Sequence, residues 1–138
     1  MIHALVTIKG EPDTKPQKKE YYFANDIDQQ ILSNTVERIT KKLLKQMKIN
    51  VNEVLLFYLN YFIGGFSSGT DVHEMIDHAT SLLSIDDVMI GVSESLSEIK
   101  FEITAENIPR QQFVLVEPIV TSASGFASRY KKNGAYQP

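Results

Sequence analysis

The stretch HEMIDH at residues 73–78 gathers two imidazoles and two carboxylates into six positions and so invites a metal-centre reading. A zinc-binding helix needs its histidines four apart, so that both rings share one face. His73 and His78 are five apart, about 140° round a helix at a step of about 100° per residue. They cannot easily hold one ion. The pairs His73–Asp77 and Glu74–His78 are four apart and read as ordinary surface pairs of a helix. A small enzyme built on His73, Glu74 or His78 is therefore the weakest reading of the chain. A second acidic group, Asp86 and Asp87, lies in SIDDVMIGV at residues 84–92. It could serve a metal or a proton relay. It could equally open a helix, where unpaired backbone N–H groups and the dipole favour negative charge. Glu94, Glu98 and Glu102 form an acidic stripe with nothing to bury them or pair them with a nucleophile.

The glycine-bearing stretches add no chemistry. GGFSSG (64–69) has no strand before it and no lysine at the place a phosphate-binding loop requires. ASGFAS (123–128) is not a nucleophile elbow, which needs a strand–turn–helix setting. No catalytic set emerges: catalytic residues, cofactor-binding residues and metal ligands are all expected to be absent.

The elements that would carry these residues follow from composition and periodicity. The chain has 138 residues, 43% of them hydrophobic and 22% charged, which suits one soluble domain with a core of its own. It has no cysteine, which removes disulfide and thiolate chemistry and fits the cytoplasm. No stretch is long and apolar enough to span a bilayer, and MIHALVTIKGEPD lacks the pattern of a signal peptide. The net charge of −3 argues against nucleic acid as a partner. Charge is unevenly spread: residues 1–48 hold nine Lys/Arg against six acids, and residues 71–107 hold nine acids and one base, Lys100. Such halves could pair head to tail with a copy or a partner, although solvated faces are the stronger explanation.

IHALVTI and EYYFA (20–24) read as the strands of an N-terminal hairpin around the loop GEPDTKPQKK. Asp26 with Gln29 has the form of a capping box opening a first helix. Ile27, Ile31, Val36, Ile39, Leu43 and Met47 form its apolar face, and Arg38, Lys41, Lys42, Lys45 and Lys48 fill much of the remainder. Asn50 with Glu53 opens a second helix, apolar nearly all round, which belongs at the centre of a bundle or in a subunit interface. Gly64 and Gly65 are expected to stop it. A third helix starts near Asp71, and a short fourth at Ser84 with Asp87 at its third position. From Leu96 the period shifts towards two, with Ile99, Phe101 and Ile103 alternating, and a C-terminal hairpin is closed by Pro118. The tail TSASGFASRYKKNGAYQP is expected to be mobile unless a partner orders it.

The run from Gly69 to Thr104 resembles the urease gamma subunit family. The matching positions include Gly69, Val72, Glu74, Thr80, Leu83, Asp86, Asp87, Val88, Met89, Gly91, Val92, Glu94, Glu98, Ile99, Glu102 and Thr104, followed by Pro118 and Ile119. Asn50 and Glu53 match the family's Asn–Tyr–Pro–Glu helix start, with Val51 and Asn52 in place of Tyr and Pro. Ser67–Ser68–Gly69 and Ser93–Glu94–Ser95 depart from the family's Arg–Asp–Gly and Pro–Glu–Met. The resemblance covers about residues 26–119. It divides the chain into an N-terminal extension (1–25), a gamma-like domain (26–119) and a C-terminal tail (120–138).

The elements and the resemblance together give an α+β fold, a four-helix gamma-like bundle with a C-terminal antiparallel hairpin, to which the residues outside the resemblance add an N-terminal strand pair. The resemblance implies a non-catalytic structural subunit that assembles with urease-type alpha and beta chains around a threefold axis. It also implies that nickel is held only by the alpha subunit. The alternative is a stand-alone homo-oligomer whose extra ends make the contacts. Phe57, Tyr58, Tyr61, Phe62, Asp86, Asp87, Met89 and Glu94 are the expected subunit-interface residues.

Overall fold

The computed structural model describes residues 1–11, 15–121 and 124–133. Strands β1 (Ile2–Lys9) and β2 (Gln17–Phe23) come first. Helices α1 (Asp26–Leu44), α2 (Val51–Ser67) and α3 (Val72–Ala79) follow. A 3-10 turn (Ile85–Asp87) and the single-turn helix α4 (Val92–Ser95) lead into β3 (Glu98–Ala105) and β4 (Ile108–Val116). Helix α5 (Phe126–Asn133) is the last described element.

The class is α+β as expected, but the architecture is not a four-helix bundle with separate hairpins. The two hairpins join into one antiparallel sheet of order β2–β1–β3–β4. Alternation explains the join. Ile2, Ala4, Val6 and Ile8 point to one face, as do Ile99, Phe101 and Ile103 of β3 and Phe113 and Leu115 of β4. In register, Ala4 meets Ile103, Val6 meets Phe101 and Ile8 meets Ile99. One continuous apolar face therefore packs beneath the helices, and the N-terminal strands share the core of the rest.

Helix α1 begins one residue earlier in its logic than Asp26 with Gln29 suggests. Its cap is Asn25, whose side chain accepts from Asp28 N, while the Asp28 carboxylate accepts from Ala24 N. Its buried stripe is Leu32, Val36, Ile39 and Leu43. Ile27 and Ile31 lie one step behind that stripe and remain 71% and 58% exposed, so the expected apolar face is half right. Met47 lies past the helix end, after Gln46 with φ of 61°, and is also exposed.

Helix α2 opens as expected, with a complete capping box of Asn50 and Glu53. It does not stop at Gly64 and Gly65 but runs through them to Ser67. Gly65 is there for packing: a Cβ would lie 1.9 Å from Met75 Cε and 2.4 Å from its Sδ. Asp71 caps α3 by accepting from His73 N and Glu74 N.

The expected fourth helix at Ser84 is only the 3-10 turn, although its capping box of Ser84 and Asp87 is present. The expected mobile tail also needs correction, since residues 126–133 form α5. Residues 122–123 and 134–138 of that tail lie outside the described residues.

Candidate functional site

The segment 84–91 is fastened on both sides by backbone. Ile49 N donates to Asp87 O at 3.0 Å and Met89 N to Ile49 O at 2.9 Å, which tie the segment to the start of α2. On the other side Ile85 N donates to Val120 O at 2.8 Å and Val120 N to Leu83 O at 3.1 Å. Lys48 Nζ reaches Asp86 O at 2.9 Å. Gly91, with φ of 91°, takes the left-handed conformation that lets the chain leave this corner and enter α4.

Within this frame the two aspartates have separate fates. Asp86 is exposed. Asp87 is only 6% exposed, and its carboxylate is a junction. It accepts from Ser84 N at 2.9 Å and Ser84 Oγ at 3.3 Å, and from Phe126 N at 2.9 and 3.1 Å. Arg129 Nη2 stands 3.7 Å away and donates to Leu82 O at 2.7 Å. Asp87 thus anchors the first turn of α5 as well as the 3-10 turn, and buried charge is tolerated because donors surround it. The approach is close: a Cβ at Gly125 would lie 3.2 Å from Asp87 Oδ1. The acidic pair is an architectural device at Asp87 and a surface feature at Asp86.

The remaining expected contact residues also divide. Tyr58 and Phe62 are 0% exposed, Phe57 1% and Tyr61 8%. Their surface is already covered by the chain itself. Phe57 meets Phe126 edge-on at 6.1 Å between centroids, and Phe62 meets Phe101 and Phe113 at 5.4 and 4.4 Å. Most of the apolar perimeter of α2 is core, with the sheet and α5 against it, and these four rings and Asp87 are buried within the chain. Met89, Glu94 and Asp86 do lie on the surface.

Sequence reading missed a further surface residue beside them. Ile90 is fully exposed at the tip of the turn. A shallow surface depression lined by Val51, Met89 and Ile90 joins the tip to the start of α2. The only hint in the sequence is that Val88, Met89 and Ile90 make three apolar residues in a row, which a single turn cannot bury together.

The histidines do not converge. His73 and Glu74 are exposed, while His78 Nδ1 lies 3.1 Å from Tyr61 Oη. Burial raises the Tyr61 phenol above its ordinary value, and the nearby charge of Glu74 adds to this. Glu102 forms ion pairs with Lys100 at 3.9 Å and Arg110 at 3.8 Å. An open groove of about 500 Å³ between α1 and α2 is lined by Val36, Glu37, Thr40, Asn60, Tyr61 and Gly64, among others. Its carboxylate, Glu37, is 3.6 Å from Lys41. Among the described residues no group of three or more His, Cys, Asp or Glu is placed to hold a metal ion, and no helix is long and apolar enough to cross a membrane.

Comparison with known proteins bears on the central part of this fold, from the end of β2 through β4. The urease gamma subunit of Haemophilus influenzae (strain PittEE) is 29% identical over 68 residues, which is 49% of this chain and 68% of the relative. That of Actinobacillus pleuropneumoniae serotype 5b (strain L20) is 28% identical over the same length and shares. The sequence model of the family described as "Urease, gamma subunit" matches residues 22–118, from the end of β2 to the residue before Ile119. With that match spanning most of its length, the chain belongs to the urease gamma subunit family.

Proposed function

We propose that this chain is a non-catalytic structural subunit of a urease-type complex and acts through assembly. In this reading its neighbours are urease-type alpha and beta chains arranged about a threefold axis, and the nickel of the parent enzyme is held in the alpha chain. The complex would work in the cytoplasm. The observation that carries the reading is the exposed apolar pair Met89 and Ile90 on a turn fastened by backbone on both sides. A rigid exposed apolar tip is what an interface needs: it loses little entropy on docking and gains from leaving water. Family membership supplies the class of partner.

The test is affinity capture of the tagged chain from its own cells, with the co-purifying proteins identified by mass spectrometry. Ile90→Asp is carried in parallel. Alpha-type and beta-type urease chains should accompany the wild type and be lost from Ile90→Asp. An eluate that contains this chain alone sinks the reading and favours a self-assembling protein that reuses the gamma fold.

A further inference from the structure

The family match begins at residue 22, so it includes β3 and β4 but only Tyr22 and Phe23 of the N-terminal hairpin. Removing the hairpin in thought leaves β3 as an edge strand with its ladder open from Glu98 to Ala105. It also uncovers one side of the row Ile99, Phe101 and Ile103, all three 0% exposed as the chain stands. An eight-residue strand with an intact apolar row and no proline is a template for another strand.

The sequence of β3 fits its own copy. In an antiparallel pairing centred on Phe101, Ile99 stands opposite Ile103 of the second copy on the inner face. On the outer face Lys100 stands opposite Glu102, and by symmetry Glu102 opposite Lys100. Both charge pairs are of opposite sign, and the contact is self-complementary, as a two-fold interface must be. In the complete chain that edge is filled by β1, whose Ile2, Ala4, Val6 and Ile8 continue the apolar face. The edge moves out to β2, which carries Lys18 and Lys19 and is poorly suited to accept a strand.

We propose that the N-terminal hairpin is a built-in cap. It occupies in cis a strand-accepting edge, β3, that otherwise pairs with β3 of a second copy of this chain. The inference does not rest on the proposed urease partners, and the capture experiment above does not bear on it.

The test uses the full-length protein. Val6→Asp places a charge in the buried row of β1 and should lift the hairpin from β3; Ala4→Asp is a second, independent route. With helical circular dichroism retained, either variant should double its mass by light scattering, and the amides of 99–103 should stay protected from hydrogen exchange. Adding Lys100→Glu sets Glu against Glu102 across the new contact and should return the mass to that of the monomer, while Lys100→Glu alone leaves the wild-type mass unchanged. An excess of synthetic peptide 1–23 should also dissolve the dimer. Folded monomers from both aspartate variants, or a dimer indifferent to Lys100→Glu, overturn the proposal. Loss of cooperative unfolding in both variants overturns it as well, because β1 would then be an indispensable core strand and not a cap.

Discussion

Helix α2 and the turn at 84–91 invert one another. The helix is apolar nearly all round and hides almost all of it: Val54, Leu55, Tyr58, Leu59 and Phe62 are 0% exposed. The turn hides an acid, Asp87, and three residues later displays Ile90 to solvent. The difference teaches that apolar character does not decide what a residue is for. A long apolar helix is covered by its own chain because a sheet and neighbouring helices can surround it. A short turn has no such perimeter. Its polar residue goes inward when several donors converge on it, and its apolar residues are left for something else to cover.

The sharpest way to break the comparison is from the helix side. Phe62 packs against Tyr61, Phe66, Phe101 and Phe113, so Phe62→Ala should cost about 4 kcal/mol of stability in denaturant unfolding. A loss well under 1 kcal/mol would mean that the helix is not the centre of the core. Asp87→Ala should follow, at about 3 kcal/mol, because it strands the Ser84 and Phe126 amides and the Arg129 guanidinium together. It should also release α5, read as faster proteolytic cleavage within residues 124–129. Unchanged cleavage would show that Asp87 is not the anchor.

Ile90→Asp belongs at the opposite end. It should change stability by less than about 0.5 kcal/mol, as exposed substitutions do, while abolishing partner capture. A large stability loss would mean that the tip is packed after all. The smallest effect concerns pH. Tyr61 has its phenol raised above 10.0 by burial and then by Glu74, so the fold favours the neutral form. Its contribution is constant below about pH 10, and stability falls above that because the unfolded chain ionises first. Tyr61→Phe should flatten that alkaline fall in a thermal-melt series, and an unchanged slope would assign it to other groups.

Much of the local structure was legible. The capping boxes at Asn50–Glu53 and Ser84–Asp87 span three residues each, so their hydrogen bonds follow from sequence alone. The β3–β4 hairpin was legible for the same reason, through its period of two. Helix α5 was not. A short segment of small and polar residues has little intrinsic helicity, and what holds it lies at Asp87 and Phe57, far away in the chain. The candidate site was legible in part: Asp86, Met89 and Glu94 are on the surface, Ile90 went unnoticed, and of the two places the sequence allows for α2, bundle centre or subunit interface, its four rings lie in the core of the chain.

The sequence by itself determined the elements, most of their caps, the membership of the family and the pairing of neighbouring strands, because each depends on residues within a few positions of one another. Only the tertiary structure decided that β1 inserts between β2 and β3, that α2 is covered by its own chain, and that Ile90 is not. Those outcomes depend on which apolar faces find each other across the chain, a competition over area and shape that no local pattern records.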